Sequence, residues 1–223
     1  MPARIYVVRH GETAENREGI IQGQLDTTLN ESGVIQAQVV AEALRDIPFT
    51  AAFSSDLQRA AKTAEAILSY HPSISLIRQP ALRERYMGEL QGIKVQRGQP
   101  ARKEDSLRLE KMPAFTARIL SWWQESIVKP LSNLPAGQEE HVLVVSHGAF
   151  IATLVRGLAY SEWIPREGVN GRLVCLNTSV TTLEMGDDKK WRLVKYADVS
   201  HFLKPELAVQ INYDDRHTER REA

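Results

Sequence analysis

The chain has 223 residues, 43% hydrophobic and 25% charged, which matches an ordinary globular protein and excludes disordered, collagenous and fibrous classes. Lys plus Arg equals Asp plus Glu at 28 each, so the broad positive field that nucleic-acid binding needs is absent, no nucleic-acid partner is expected, and any anion site must be local. The single cysteine, Cys175, rules out a disulfide scaffold or a Cys-x-x-Cys motif and fits a reducing compartment; no apolar run approaches about 18 residues and the N-terminus lacks a signal-peptide pattern, so the chain is expected to be cytoplasmic with no membrane partner.

Apolar runs of strand length alternate with helical patterns. This predicts an α/β fold, a three-layer sandwich with a mostly parallel central sheet flanked by helices and a small cap insertion. Residues 5–8 form the first strand. Thr28-Leu29-Asn30-Glu31 reads as a capping box for a helix whose inner face is Val34, Ala37, Ala41 and Leu44, ending before Pro48. After a short strand at 51–53, Ser55-Asp56-Leu57-Gln58 reads as a second box, opening a helix that turns Leu57, Ala60 or Ala61, Ala64 and Ile67 inward.

Residues 74–77 alternate as a strand, whereas 91–113 is polar, contains Pro100 and Pro113 and has no clean period. Phe115, Ile119, Trp122 or Trp123 and Ile127 mark a helix; 142–145 is a buried strand; Ile151, Leu154, Val155 and Leu158 mark the helix after it. Residues 173–185 and 191–199 form a strand pair turning at 186–189, and the charged tail, 214–223, frays. The expected organisation is one domain, 1–213, with a cap insertion at about 85–113.

Two strands end alike: 5–8 runs into Arg9-His10-Gly11, and 142–145 into Ser146-His147-Gly148. Ligands bind at the carboxyl ends of strands in open α/β sheets, where loops and helix N-termini converge. If the strands are parallel neighbours, His10, His147, Arg9 and Arg59 share one crevice with the amides of a helix beginning near Gly148, and that crevice suits a phosphate. Arginine gives paired, charge-assisted hydrogen bonds to phosphate oxygens; a neutral imidazole can attack phosphorus and leave a phospho-imidazole that water cleaves. A lone histidine after a strand is more often a structural residue, so it is the ensemble that carries the reading. His10, His147, Glu84 and Asp56 also raise a metal hydrolase, but no His-x-His or His-Glu-x-x-His spacing occurs.

These residues resemble a known pattern. Arg9-His10-Gly11-Glu12-Thr13 with Asn16, then Gln22-Gly23, Asp26, Leu29 and Gly33, then Ser54-Ser55-Asp56-Leu57-Gln58-Arg59-Ala60 with Thr63-Ala64, then Leu82-Arg83-Glu84-Arg85 with Gly88 and Gly92, and finally Ser146-His147-Gly148, follow the order of the histidine phosphatase superfamily, the phosphoglycerate mutase-like family. The resemblance implies that His10 becomes phosphorylated, that Arg9, Arg59 and a protonated His147 hold the phosphoryl group, and that Glu84 is the proton donor. It implies that Asn16, Gln22 and Gly23 line the substrate site, and it needs no metal or other cofactor. Taken alone, Glu84 reads equally well as a surface carboxylate paired with Arg83 or Arg85, and Thr178, in Asn177-Thr178-Ser179, either faces the pocket or follows ordinary solvent-facing alternation.

Glu84-Arg85-Tyr86-Met87-Gly88 resembles the mutase version, yet the Lys-Tyr and paired-Arg pattern of mutases is missing from 91–113. The resemblance therefore implies a phosphatase of the fructose-2,6-bisphosphatase-type or broad-specificity branch, acting on a small phosphorylated substrate such as a sugar phosphate or phosphorylated carboxylate. A mutase is the alternative, and a non-catalytic binding protein on the same fold ranks below it. Oligomeric state, a homo-oligomer included, is not legible.

Overall fold

The computed structural model describes residues 3–94, 108–132, 135, 138–167, 169 and 173–202. In chain order the strands are β1 (Ala3–Arg9), β2 (Ala51–Ser54), β3 (Leu76–Arg78), β4 (Glu140–Ser146), β5 (Val180–Met185) and β6 (Trp191–Asp198). The helices are α1 (Ala14–Glu18), α2 (Glu31–Leu44), α3 (Gln58–Leu68), α4 (Met112–Trp123), α5 (Lys129–Ser132) and α6 (Gly148–Tyr160). The strands form one sheet in the order β3-β2-β4-β1-β5-β6; the first four run parallel, and β5 and β6 add an antiparallel edge.

Successive side chains of a strand point to opposite faces, and β1 uses both. Ile5 and Val7 join Phe115, Ile119 and Trp123 of α4 and Phe150, Ile151 and Leu154 of α6; Tyr6 and Val8 join Val40 and Ala41 of α2 and Ala60, Ala64 and Ile67 of α3. β4 repeats the division, Val142 and Val144 against Leu143 and Val145. Two buried sheet faces with a helical layer on each make the expected three-layer α/β sandwich. None of the described helices is long and apolar enough to cross a membrane.

Several local expectations need correction. α2 is capped by Asn30, not Thr28: the Asn30 side-chain oxygen accepts from the Gly33 amide at 2.8 Å, and its amide donates to Glu12 Oε1 at 2.7 Å. Its buried face runs through Gly33 instead of Val34, which is 45% exposed, because Gly33 presses on the loop after β1: a Cβ there would stand 2.0 Å from the Glu12 carbonyl oxygen. α3 has no capping box. Asp26, from a distant loop, accepts from the Gln58 amide at 2.7 Å and from Gln58 Nε2 at 3.0 Å, while Ser55 accepts only from the Leu57 amide.

Residue 113 already belongs to α4, and the helical run from Met112 continues through a π turn (Gln124–Val128) into α5. β5 begins only at Val180, so 173–179 is not strand. Residues 95–107 of the expected cap, and the tail 214–223, lie outside the described residues.

Candidate active site

The register of β1 against β4 pairs Arg9 with Ser146, so the residues that follow, His10 and His147, emerge side by side. The His10 amide donates to the Ser146 carbonyl at 2.9 Å, and the two imidazole rings lie 5.1 Å apart between centroids at 61°. His10 Nδ1 is 2.7 Å from the Gly11 carbonyl oxygen. A carbonyl can only accept, so Nδ1 carries the proton and the lone pair of the neutral ring sits on Nε2.

Arg59, 1% exposed on the first turn of α3, donates from Nη1 to the Leu25 carbonyl at 2.6 Å and from Nη2 to the Gly23 carbonyl at 2.8 Å. Its buried Nε has no hydrogen-bond partner among the described residues, and neither ring nitrogen of the fully buried His147 has one. Buried polar atoms left unpaired cost roughly 1–3 kcal/mol each, so their clustering beside His10 marks a place built for a ligand. Arg9 donates from Nη1 to the Cys175 carbonyl, and a Cβ on Gly148 would stand 3.5 Å from Arg9 Nε, so the guanidinium lies across the start of α6.

Burial, reinforced by Arg59 and Arg9, lowers the pKa of His10 well below the ordinary histidine value, and burial together with Arg59, His10 and Arg9 does the same to His147. Burial and these charges favour the neutral ring of His147 in the free pocket, whereas the expectation of a protonated His147 concerns the site with a phosphoryl group bound. Burial also lowers Arg59, to about 10. That still leaves it charged at neutral pH.

Burial likewise lowers His141 and takes His201 to about 4. At each of these four histidines the unfolded chain binds a proton that the folded chain refuses, so their contribution is intact above about pH 6.5 and is lost as pH falls below it, by up to about 1.4 kcal/mol per pH unit for each fully buried ring. Glu84, whose pKa is raised, acts in the opposite sense but is one group against four. The thermal midpoint is expected to fall between pH 7 and 5.5, and His147→Asn to reduce the slope; a flat profile would contradict the buried neutral rings.

Glu84 lies in the loop after β3. Its Oε1 accepts from the Arg85 amide at 2.8 Å and its Oε2 from the Ala149 amide, in the first turn of α6, at 2.9 Å. Burial raises its pKa against the pull of those two amides and of Arg59 and Arg9. The reading of Glu84 as half of a surface ion pair is overturned: the Arg83 fork instead holds Asp56 at 2.8 and 2.6 Å, and Arg85 Nε donates to the Glu110 carbonyl. That pairing holds the Asp56 carboxyl below its usual range and occupies both its oxygens. Among the described residues no group of three or more His, Cys, Asp or Glu is arranged to hold a metal ion.

The other predicted residues gather around this centre. Asn16, 1% exposed, sits on α1, a short helix that the sequence reading missed; Thr13 caps it. Gln22 accepts from the Thr27 hydroxyl at 2.6 Å, which leaves its NH2 end without a partner among the described residues. Gly23, at φ +53, turns its carbonyl to Arg59. Thr178 is buried with φ 54, its amide donating to the Arg9 carbonyl at 3.0 Å and its hydroxyl to the Asn177 carbonyl at 2.8 Å, which rules out solvent-facing alternation.

Two residues to which the sequence reading assigned no site role, Asn177 and Thr63, do the bracing. Asn177 Nδ2 donates to the His10 carbonyl at 2.9 Å and to Asn16 Oδ1 at 3.3 Å. The Thr63 hydroxyl accepts from the Gly11 amide at 3.0 Å and donates to the Arg59 carbonyl at 2.8 Å, tying the histidine loop to the arginine helix.

The pattern that defines the Histidine phosphatase superfamily (branch 1) matches residues 5–199. The chain is 30% identical to a broad-specificity phosphatase of Saccharomyces cerevisiae, over 86% of this chain and 84% of that protein. It is 32% identical to a metal-independent phosphoserine phosphatase of Arabidopsis thaliana, over 88% and 82%. Among solved structures, a phosphoglycerate mutase from Bacillus anthracis superposes with a TM-score of 0.74 at 27% identity, over 89% of this chain and 94% of that one.

Proposed function

Because the chain belongs to branch 1 of the histidine phosphatase superfamily, we propose that it is a phosphomonoester hydrolase that works through a phosphohistidine on His10 and acts on small phosphorylated metabolites, sugar phosphates or phosphorylated carboxylates. The observation that carries this reading is the Nδ1–H bond of His10 to Gly11, which leaves Nε2 as nucleophile beside the unpartnered nitrogens of His147 and Arg59.

Nε2 attacks phosphorus in line; the phosphorus–oxygen bond to the leaving alcohol breaks, and Glu84 supplies the proton that alkoxide needs. Water then attacks the phosphohistidine, Glu84 takes its proton, and inorganic phosphate leaves. Arg9, Arg59 and the Gly148 amide at the start of α6 stabilise the charge on the transferring group, while Asn16, Gln22 and Gly23 line its surroundings. A bound phosphoryl dianion reverses the field that keeps His147 neutral, so His147 acquires its proton with the substrate. Thr178 serves by holding the end of β1.

The reading places residues 1–213 in one catalytic domain with 85–113 as its cap, working in the cytoplasm, where a buried cysteine in the reduced state, Cys175, is at home. A panel of phosphorylated metabolites scored for inorganic phosphate and for positional isomers tests the reaction. Phosphate release supports hydrolysis; isomers without phosphate would make the protein a mutase, the reading favoured by its likeness to the B. anthracis structure and by residues 84–88; neither product would leave a binding protein.

A strong chelator is expected to leave the rate unchanged, because two arginines supply the positive charge a metal would bring. Activity lost on chelation and restored by a divalent cation would count against this assignment.

A further inference from the structure

Arg118, on α4, is absent from the reaction outlined above, yet its guanidinium spends every donor around Glu84. Nη1 donates to the carbonyls of Ala81 at 2.7 Å and Arg83 at 3.0 Å; Nη2 donates to the Glu84 carbonyl at 3.3 Å and to Glu110 Oε2 at 2.9 Å; Nε donates to Glu110 Oε1 at 3.0 Å. Glu110 grips the same loop from the other side. Its Oε2 also accepts from the Tyr86 amide at 3.2 Å, its carbonyl accepts from Arg85 Nε at 2.7 Å, and its amide donates to the Tyr86 carbonyl at 2.9 Å. The two side chains are 23% and 17% exposed.

A half-buried ion pair adds little net stability, because desolvation offsets its attraction. What this pair does supply is direction. Three carbonyls of the loop, at 81, 83 and 84, are fixed to one rigid planar fork, and the residue carrying the carboxylate is the last of them.

We propose that Arg118, with Glu110, is a positioning residue for Glu84: the pair sets the angle at which that carboxyl meets the leaving oxygen and ties it to the chain returning from the cap. This rests on Glu84 as the proton donor. The donors of Arg118 are spent on the loop carbonyls and Glu110, so its one reach into the phosphate pocket of His10, Arg9, Arg59 and His147 is its charge acting on His147.

The test measures single-turnover phosphoenzyme formation from an alkyl phosphate and from p-nitrophenyl phosphate, together with inhibition by inorganic phosphate, in Arg118→Gln, Glu110→Gln and Glu84→Ala. Displacement of a reacting group by about 1 Å costs on the order of 100-fold, so Arg118→Gln is expected to slow the alkyl ester by about that factor. It is expected to leave the aryl ester, which needs no proton, near the wild-type rate, with phosphate inhibition unchanged. Glu110→Gln is expected to show the same pattern less strongly and decides the matter if Arg118→Gln does not fold. Equal losses on both esters, or weakened phosphate inhibition, would overturn the proposal in favour of a general structural or substrate-binding role. If Glu84→Ala discriminates between the esters and the other variants do not, the positioning role falls and the proton donor stands; if Glu84→Ala does not discriminate, both fall.

Discussion

Replacing His10 with alanine is expected to abolish the covalent intermediate and lower turnover by on the order of 10⁶-fold, the scale of loss when a covalent nucleophile is removed. The size follows from the tautomer. With Nδ1–H held by the Gly11 carbonyl, Nε2 is the one ring nitrogen with a free electron pair, and the depressed pKa keeps it unprotonated at neutral pH. No other side chain in the pocket can take over. His147 stands at 5.1 Å between ring centroids, but in the proposed reaction it takes up a proton as the phosphoryl dianion binds and then has no electron pair with which to attack. Brief mixing with labelled substrate, followed by quenching, should leave label on the wild type that is lost in acid and retained in base. Label on a serine or aspartate, or undiminished label in His10→Ala, would defeat the mechanism.

The meeting of His10 and His147 was legible because both sit where strands end, and strands of fully buried Val, Ile and Leu announce themselves. Residues 5–8 and 142–145 predict two buried strands, and once these are parallel neighbours His10 and His147 must meet. What the sequence alone could not supply was contact between distant segments. Asp26 caps α3 from a loop 32 residues earlier in the chain, so the Ser55 hydroxyl, locally the better candidate, is displaced by a stronger acceptor that no local pattern reveals. Val34 reads as core by spacing and is exposed because Gly33 occupies the close approach to Glu12.

Protonation at His147 depends on what occupies the pocket. A residue-by-residue resemblance transfers the charge of the occupied site, whereas the free pocket is governed by burial and two arginines with no anion between them. Thr178 shows the same limit. The chain left open whether it faces the pocket or solvent, because its left-handed backbone and its bond to the Arg9 carbonyl, which make it a clamp on β1, depend on how residues 177–179 cross the strand end.

Glu84→Ala is expected to slow phosphoenzyme formation from an alkyl phosphate by about 10²–10⁴-fold, the usual range for a lost general acid. An alkoxide is strongly basic and leaves poorly without a proton, whereas p-nitrophenolate is a stable anion that needs little help. The same variant should therefore form phosphoenzyme from p-nitrophenyl phosphate at close to the wild-type rate. Its turnover on that ester should still be slow, because no carboxylate remains to activate water for the second step. A stopped-flow trace should thus show a burst of p-nitrophenol followed by a slow steady state. The raised pKa of Glu84 favours the acid role: desolvation outweighs the two amides and two arginines that stabilise the anion, so the carboxyl holds a proton to higher pH than an exposed glutamate. As the leaving group departs with that proton, the carboxylate it leaves behind finds the Arg85 and Ala149 amides in place, ready to serve as base for the incoming water. Equal losses on both esters in a folded variant would mean that Glu84 acts in binding or structure and that another group donates the proton.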